Sequence, residues 1–303
     1  MTAGSGSSRR VEQARARFAQ VAFAEWLGVT VSEVAHDRAV LVLPYRPEHL
    51  NAVGVLNGGA SASLLTMAGA LAAWTGVDLD ADPHLSCVDC SVQYLAPAAE
   101  EDVVAEARVL RRGRGLVFLD VALRSRTGKP ICQGLLSYQT SDYAGQTPRL
   151  RAQHIPLPAP APLIPPAAHR LFHGYVRKLD ITPLHQSPGR VRLHMPCTAM
   201  HVDERGQLHA GALASIVDIA AVTASWSLVP RRHGARGSTI GMQVSYPSVA
   251  AAAVVADAHV QQRSEELLFS TVHVTTAASG QLVAMGQVSY RLLEPWPEGS
   301  DSS

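Results

Sequence analysis

The sequence predicts an α+β chain in which one unit is written twice, each copy an antiparallel sheet wrapped around a central helix. The first observation behind this is an internal repeat. Leu27-Gly28-Val29-Thr30 aligns with Leu179-Asp180-Ile181-Thr182, and Tyr94 with Tyr246. Leu56, Gly59, Ala60, Ala62, Ser63 and Trp74 align with Leu208, Gly211, Ala212, Ala214, Ser215 and Trp226. Gly128, Gly134, Ser137 and Tyr138 align with Gly280, Gly286, Ser289 and Tyr290. Each pair is 152 positions apart, which reads as a gapless match over the whole unit. The second observation is one long run of small residues per copy, Gly58–Trp74 and Ala210–Trp226. Such a helix lets a sheet approach closely. The third is a meander of β-rich segments after each run.

The elements follow in order. A helix is expected over about Arg9–Trp26. In each copy a strand comes first (Arg38–Leu43; Arg190–His194), then an irregular loop, then the small-residue helix. Copy one continues with strands at Leu85–Leu95, Val103–Leu110, Leu116–Arg124 and Ile131–Gln139. Copy two repeats them at Ser238–Tyr246, Val254–Gln261, Leu268–Thr276 and Leu282–Arg291. Arg112-Gly113-Arg114-Gly115, Thr127-Gly128 and Ser279-Gly280 are turn signals that join these strands as hairpins. Between the copies, Gln146–Ala168 holds prolines at 148, 156, 158, 160, 162, 165 and 166. Proline at that density neither pairs in a sheet nor continues a helix, so this stretch reads as an extended linker. The expected domains are therefore 1–145 and 169–295, with a linker at 146–168 and a polar tail at 296–303.

Composition narrows the function classes. A chain of 303 residues accommodates two ordinary domains, and 47% hydrophobic with 17% charged residues is globular usage. A formal net charge of +1 gives no electrostatic reason to expect nucleic acid or an anionic membrane as partner. No apolar signal segment follows the Gly/Ser-rich start, so the expected compartment is the cytoplasm. Ala60–Val77 and Gly211–Pro230 read as buried core helices and not as membrane spans: both carry Ser or Thr, and the second carries Asp218. Cys87 and Cys90 form a CxxC, but on a strand residues three apart face opposite sides, and no second CxxC exists to complete a zinc site. All four cysteines are read as reduced, and no metal or cofactor is expected.

The layout, together with Asn51-Ala52-Val53-Gly54-Val55-Leu56-Asn57-Gly58-Gly59, resembles the hotdog-fold thioesterases of the PaaI-like acyl-CoA group. That family's pattern is Asn-x-x-Gly-x-x-His-Gly-Gly, with an Asp nine residues after the His and a hydroxyl residue on a later strand. The resemblance covers about Leu27–Gln139 and Leu179–Leu292. Neither copy is complete. Copy one has Asn51, Gly54, Gly58 and Gly59, but Asn57 stands for the His, Thr66 for the Asp and Cys87 for the hydroxyl residue. Copy two has His209, Gly211, Asp218 and Thr239, but Asp203 stands for the Asn and Ala210 for the first Gly.

Helix geometry explains a divided set. Nine residues advance a helix by about 13 Å and half a turn net, so Asp218 cannot serve the loop before its own helix. In homodimeric relatives each site forms across the interface, and the resemblance implies that the fused copies replace the two subunits. One composite site then joins Asp218 and Thr239 with Asn51 and the Gly58 amide. The other joins Thr66 and Cys87 with Asp203, His209 and Ala210, and lacks the helical carboxylate. One live site and one silent or remodelled site are expected.

The chemistry implied is hydrolysis of an acyl-CoA or related thioester. The Gly58 amide at the helix N-terminus suits a developing oxyanion. Asn51 donates to the carbonyl or orients water, Asp218 is general base or nucleophile, and Thr239 positions the water or the carboxylate. Gly59, Asn57, His209, Gly211 and Thr66 are expected to contribute to substrate binding. Arg111, Arg112 and Arg114 form a basic hairpin tip suited to coenzyme A phosphates, and Arg231, Arg232 and Arg236 are read the same way. Plainer readings stand beside these: Asp218 as a structural hydrogen-bonding group, Asn51 as a turn residue, His209 as a helix cap, Thr239 as a strand residue, and the arginines as a solvated turn. Rival functions are a non-catalytic acyl-thioester binding protein and a hydratase or dehydratase using Asp203 and His209. A structural assembly module has no positive sign. Hotdog units often pack into higher assemblies, which implies a homo-oligomer of the double unit.

Overall fold

The computed structural model describes residues 3–113, 115–141, 174–229 and 236–293. The Pro-rich 146–168 stretch, the 296–303 tail, Arg114, Arg231 and Arg232 lie outside them.

The chain opens with α1 (Ala3–Phe18) and α2 (Ala22–Leu27). Copy one continues with β1 (Thr30–Ala35), β2 (Arg38–Leu43), α3 (Gly58–Trp74), β3 (His84–Tyr94), β4 (Val103–Arg112), β5 (Leu116–Ser125) and β6 (Pro130–Ser141). Copy two has α4 (Gly174–Lys178), β7 (Thr182–Ser187), β8 (Arg190–Met195), α5 (Ala210–Trp226), β9 (Arg236–Ser245), β10 (Val254–Ser264), β11 (Leu267–Thr276) and β12 (Leu282–Leu293).

Among the described residues the strands form one antiparallel twelve-stranded sheet in the order β1-β2-β4-β5-β6-β3-β9-β12-β11-β10-β8-β7. The order reads the same from either edge under exchange of the copies, as expected for two like units meeting about a pseudo-dyad. The seam is β3 against β9, from Asp89↔Ser245 to Gln93↔Gly241. Each helix packs on its own strands and the two helices pack on each other. Almost the whole of α3 is buried, which accounts for its unrelieved apolar character. Among the described residues no helix is long and apolar enough to cross a membrane.

Two glycines set how close the helices come. A Cβ on Gly59 would sit 2.7 Å from Ser215 Cα, and one on Gly211 would sit 2.7 Å from Ser63 Cα. The pairing runs antiparallel, N-terminal turn against N-terminal turn. At the crossing the Ser63 and Ser215 hydroxyls meet at 3.1 Å, and the buried Tyr175 hydroxyl reaches both, at 3.2 and 3.0 Å.

Several expectations need correction. The helix expected over Arg9–Trp26 is two helices, broken at Ala19–Val21 although no Gly or Pro stands there. The break is tertiary: the Phe23 amide bonds the Val202 carbonyl of the other copy at 3.2 Å, and α2 packs on that copy's 199–201 turn. β1 and β7 were not expected. They are edge strands, β1 largely exposed and β7 mostly half-buried, each with a register shift, so their alternation is weak.

The repeat is not gapless either. Phe118 pairs with Ser137 and Phe269 with Ser289, so β5 and β11 correspond at 151 positions while β6 and β12 keep 152. A shorter β10–β11 hairpin is offset by a longer β11–β12 turn. Finally, Cys87 and Cys90 are both buried in place of facing opposite sides, because a bulge between Cys87 and Asp89 resets the alternation. Both remain free thiols, and burial raises both above the ordinary thiol range.

Candidate active site

The loop before each small-residue helix is built the same way twice. Asn51 Oδ1 accepts from the Val53 and Val55 amides at 3.0 and 3.3 Å, and Asp203 Oδ1 accepts from Arg205 and Gln207, both at 2.9 Å. In both turns the side-chain oxygen is spent on backbone. What differs is the other end: Asn51 retains an amide donor, whereas an ionised Asp203 has none. At the helix starts, Asn57 Oδ1 caps Gly59 N–H and His209 Nδ1 caps Gly211 N–H, each at 2.9 Å. Gly58 is thus the first helical residue, whose N–H has no intrahelical acceptor. The Tyr94 hydroxyl donates to the Gly58 carbonyl at 3.0 Å, and Tyr246 repeats this at Ala210 with 3.1 Å.

Antiparallel packing of α3 on α5 carries Asp218 to the start of α3. Its Oδ2 would lie 2.7 Å from a Cβ on Gly58, so only glycine leaves that space open. Its Oδ1 accepts from the Thr239 hydroxyl at 2.7 Å. The side chain is buried, at 3% exposure. Burial raises the carboxyl to about 6, opposed by the Thr239 hydroxyl and then the Gly59 amide, which favour the charged form. A carboxyl poised near neutrality can take a proton and return it, as a general base must.

These groups share one cavity of about 620 Å³, lined by Asn51, Asn57, Gly58, Asp218 and Thr239 along with Ser61, Tyr94, Ile219, Val222 and Tyr290. Most of this lining is apolar, drawn from both copies. A space of that size, with a few converging polar groups and a perturbed carboxyl, has the form of a small-molecule site.

Other expected binding residues lie elsewhere. Thr66, Gly211 and His209 are not among the cavity's lining, and neither are Cys87 and Asp203. Thr66 is fully buried and donates to the Ser63 carbonyl at 2.9 Å, while its own carbonyl takes the Tyr138 hydroxyl at 2.6 Å. His209 is buried, its ring 5.3 Å from Phe23, and desolvation lowers its pKa to about 4. It caps α5 and lies outside the cavity's lining. Arg112 is engaged as well, outside the cavity's lining: its guanidinium bonds Asp37 at 2.6 Å and the Ala72 carbonyl at 3.2 Å. The hydroxyls of Tyr94 and Tyr290 were missed, although both tyrosines are repeat matches. Their signal was there, but a tyrosine at the end of a strand reads first as packing.

A family profile described as "Thioesterase superfamily" matches residues 53–132, and one described as "Domain of unknown function (DUF4442)" matches residues 167–292. The human protein named acyl-coenzyme A thioesterase 13 is 33% identical over 109 residues, which is 35% of this chain and 76% of that protein. This chain belongs to the thioesterase superfamily. The mouse protein of the same name is 28% identical over 117 residues, 38% of this chain and 81% of its own. Within the superfamily the likeness to solved structures extends over both copies. An acyl-CoA thioesterase II from Mycobacterium marinum superposes with a TM-score of 0.63 at 17% identity, covering 92% of this chain and 99% of that one. A hot dog fold protein from Alicyclobacillus acidocaldarius gives 0.60 at 16% identity, covering 91% and 99%. At such identities these two matches show the fold: two fused hotdog units.

Proposed function

We propose that this chain hydrolyses an acyl-CoA thioester at one composite site between its halves, with Asp218 as general base. The observation that carries this is the contact of a buried carboxylate from one half with the free helix N-terminus of the other, inside the cavity. Ionised Asp218 takes a proton from water, and the hydroxide adds to the thioester carbonyl carbon. The resulting oxyanion is stabilised by the Gly58 amide, reinforced by the dipole of α3 and by the Asn51 amide. Collapse breaks the C–S bond, and the proton on Asp218 goes to the departing thiolate. One water is consumed; a carboxylic acid and a thiol leave. Thr239 holds the carboxylate in place, and Tyr94 fixes the Gly58 peptide. The opposite combination offers Thr66 where a carboxylate is needed and Asp203 where a donor is needed, so it is silent.

The test is thiol release from a panel of acyl-CoA thioesters of different chain length and aromatic character, with Asp218→Asn as control. Turnover by the unsubstituted chain that falls by roughly 10²–10⁴ in the variant is expected for loss of a general base. No release from any member of the panel, or undiminished release by the variant, overturns the proposal.

A further inference from the structure

The rim of the cavity carries two cations that the hydrolytic chemistry does not use. Arg236 opens β9, Arg291 lies near the end of β12, and both belong to the lining that includes Asp218 and Thr239. Ser238 pairs with Arg291, and Arg236 with Leu293. Paired residues share a face of a sheet, and so do residues two apart. The two arginines therefore rise from the same side, the face opposite the paired Thr239 and Tyr290, as diagonal cross-strand neighbours at the cavity's outer rim. Both are exposed, and Arg291 is tied to the equally exposed Glu266 at 2.8 Å. The rim thus keeps one net positive charge among these three groups.

The other copy supplies an internal control. The same ladder recurs at β3 and β6, where Ser86 pairs with Gln139 and His84 with Ser141. His84 and Gln139 hold the positions of Arg236 and Arg291. The half that has Thr66 in place of the helical carboxylate also lacks both arginines, so the pair keeps company with Asp218. Shared presence on one half and shared absence on the other ties the arginines to the working site more closely than to a generally solvated edge.

We infer that Arg236 and Arg291 form a phosphate subsite for the thiol arm of the substrate, and so select thioesters of a phosphorylated thiol, coenzyme A. This rests on the hydrolase reading above. A guanidinium suits the role because its planar donor fork meets phosphate oxygens two at a time. Arg236 is the primary cation. Arg291 is held by Glu266 until a phosphate competes for it.

Calorimetric titration of the full chain with coenzyme A, 4′-phosphopantetheine and pantetheine tests this without requiring turnover. Arg236→Ala should weaken coenzyme A about tenfold, the loss of one charge-assisted contact, and leave pantetheine unchanged. Glu266→Gln should tighten coenzyme A by freeing Arg291, while His84→Ala at the equivalent position should change nothing. A loss with 4′-phosphopantetheine as large as that with coenzyme A would place the contact at the phosphate shared with carrier-linked thiols; a loss confined to coenzyme A would place it at the nucleotide phosphates. Either supports the subsite, but the first overturns selection of coenzyme A over a carrier-linked thiol. Equal weakening of pantetheine, unchanged affinity for coenzyme A in Arg236→Ala, or no binding of coenzyme A by the unsubstituted chain overturns it. A chain that binds coenzyme A through Arg236 but releases no thiol would sink the hydrolase reading alone.

Discussion

Replacing Asp218 by Asn should cut turnover by roughly 10²–10⁴ and, at the same time, make the protein more stable at neutral pH. The carboxyl is held at about 6 against an ordinary 3.8, a rise of roughly 2 pH units. At about 1.4 kcal/mol per unit, the buried charge costs on the order of 3 kcal/mol once fully formed. The sign follows from the direction of the shift. With the folded value above the unfolded one, stability is fullest below about pH 4 and is lost as pH rises through 6. Integrating the two titrations, on the order of 1 kcal/mol of the loss falls between pH 5 and pH 8. Asn has nearly the same shape, can accept the Thr239 hydrogen bond and does not ionise. Urea unfolding at a series of pH values in that window, on both proteins, isolates the difference, since every other group titrates alike in the two. The stability advantage of Asp218→Asn should grow by about that amount from pH 5 to pH 8. Parallel pH profiles would refute the claim that burial holds this carboxyl near neutrality, and with it the reason for making Asp218 the base.

Thr239→Val removes the hydroxyl that favours the charged form, so the acid limb of the pH–kcat/KM profile, expected near pH 6, should move to higher pH; an unmoved limb would show that Thr239 does not act on Asp218. Gly58→Ala places a methyl 2.7 Å from Asp218 Oδ2 and should lower kcat by about tenfold or more as the carboxylate is displaced from the helix start, whereas Ala210→Gly in the other half should leave kcat unchanged. His209→Ala should cost about 0.5–2 kcal/mol in urea unfolding through loss of the α5 cap, with KM unaffected; a changed KM would return His209 to the substrate. Gly59→Ala forces a Cβ onto the Ser215 backbone and should destabilise by roughly 1–3 kcal/mol, read as a lowered thermal midpoint.

Much of this protein was legible in order along the chain. The repeat, the two small-residue helices and the later strands are local or periodic features, and Asp218, Gly58 and Thr239 stood out because each sits at a fixed spacing within its own copy. Helix geometry alone ruled out Asp218 acting on its own loop, since nine residues turn a side chain to the opposite face. What a single chain of letters does not carry is the meeting of distant surfaces. The break between α1 and α2 comes from a hydrogen bond to the other copy, and the common burial of Cys87 and Cys90 comes from a bulge against a partner strand. Arg112 looked available until the fold set Asp37 against it, and Arg236 looked like a solvated turn until β12 brought Arg291 alongside. Sequence determined which groups each half could offer, because spacing and residue type are properties of one segment. Only tertiary structure decided which of them share a cavity and which are consumed by neighbours, because burial, charge pairing and backbone approach depend on what the rest of the chain places beside them.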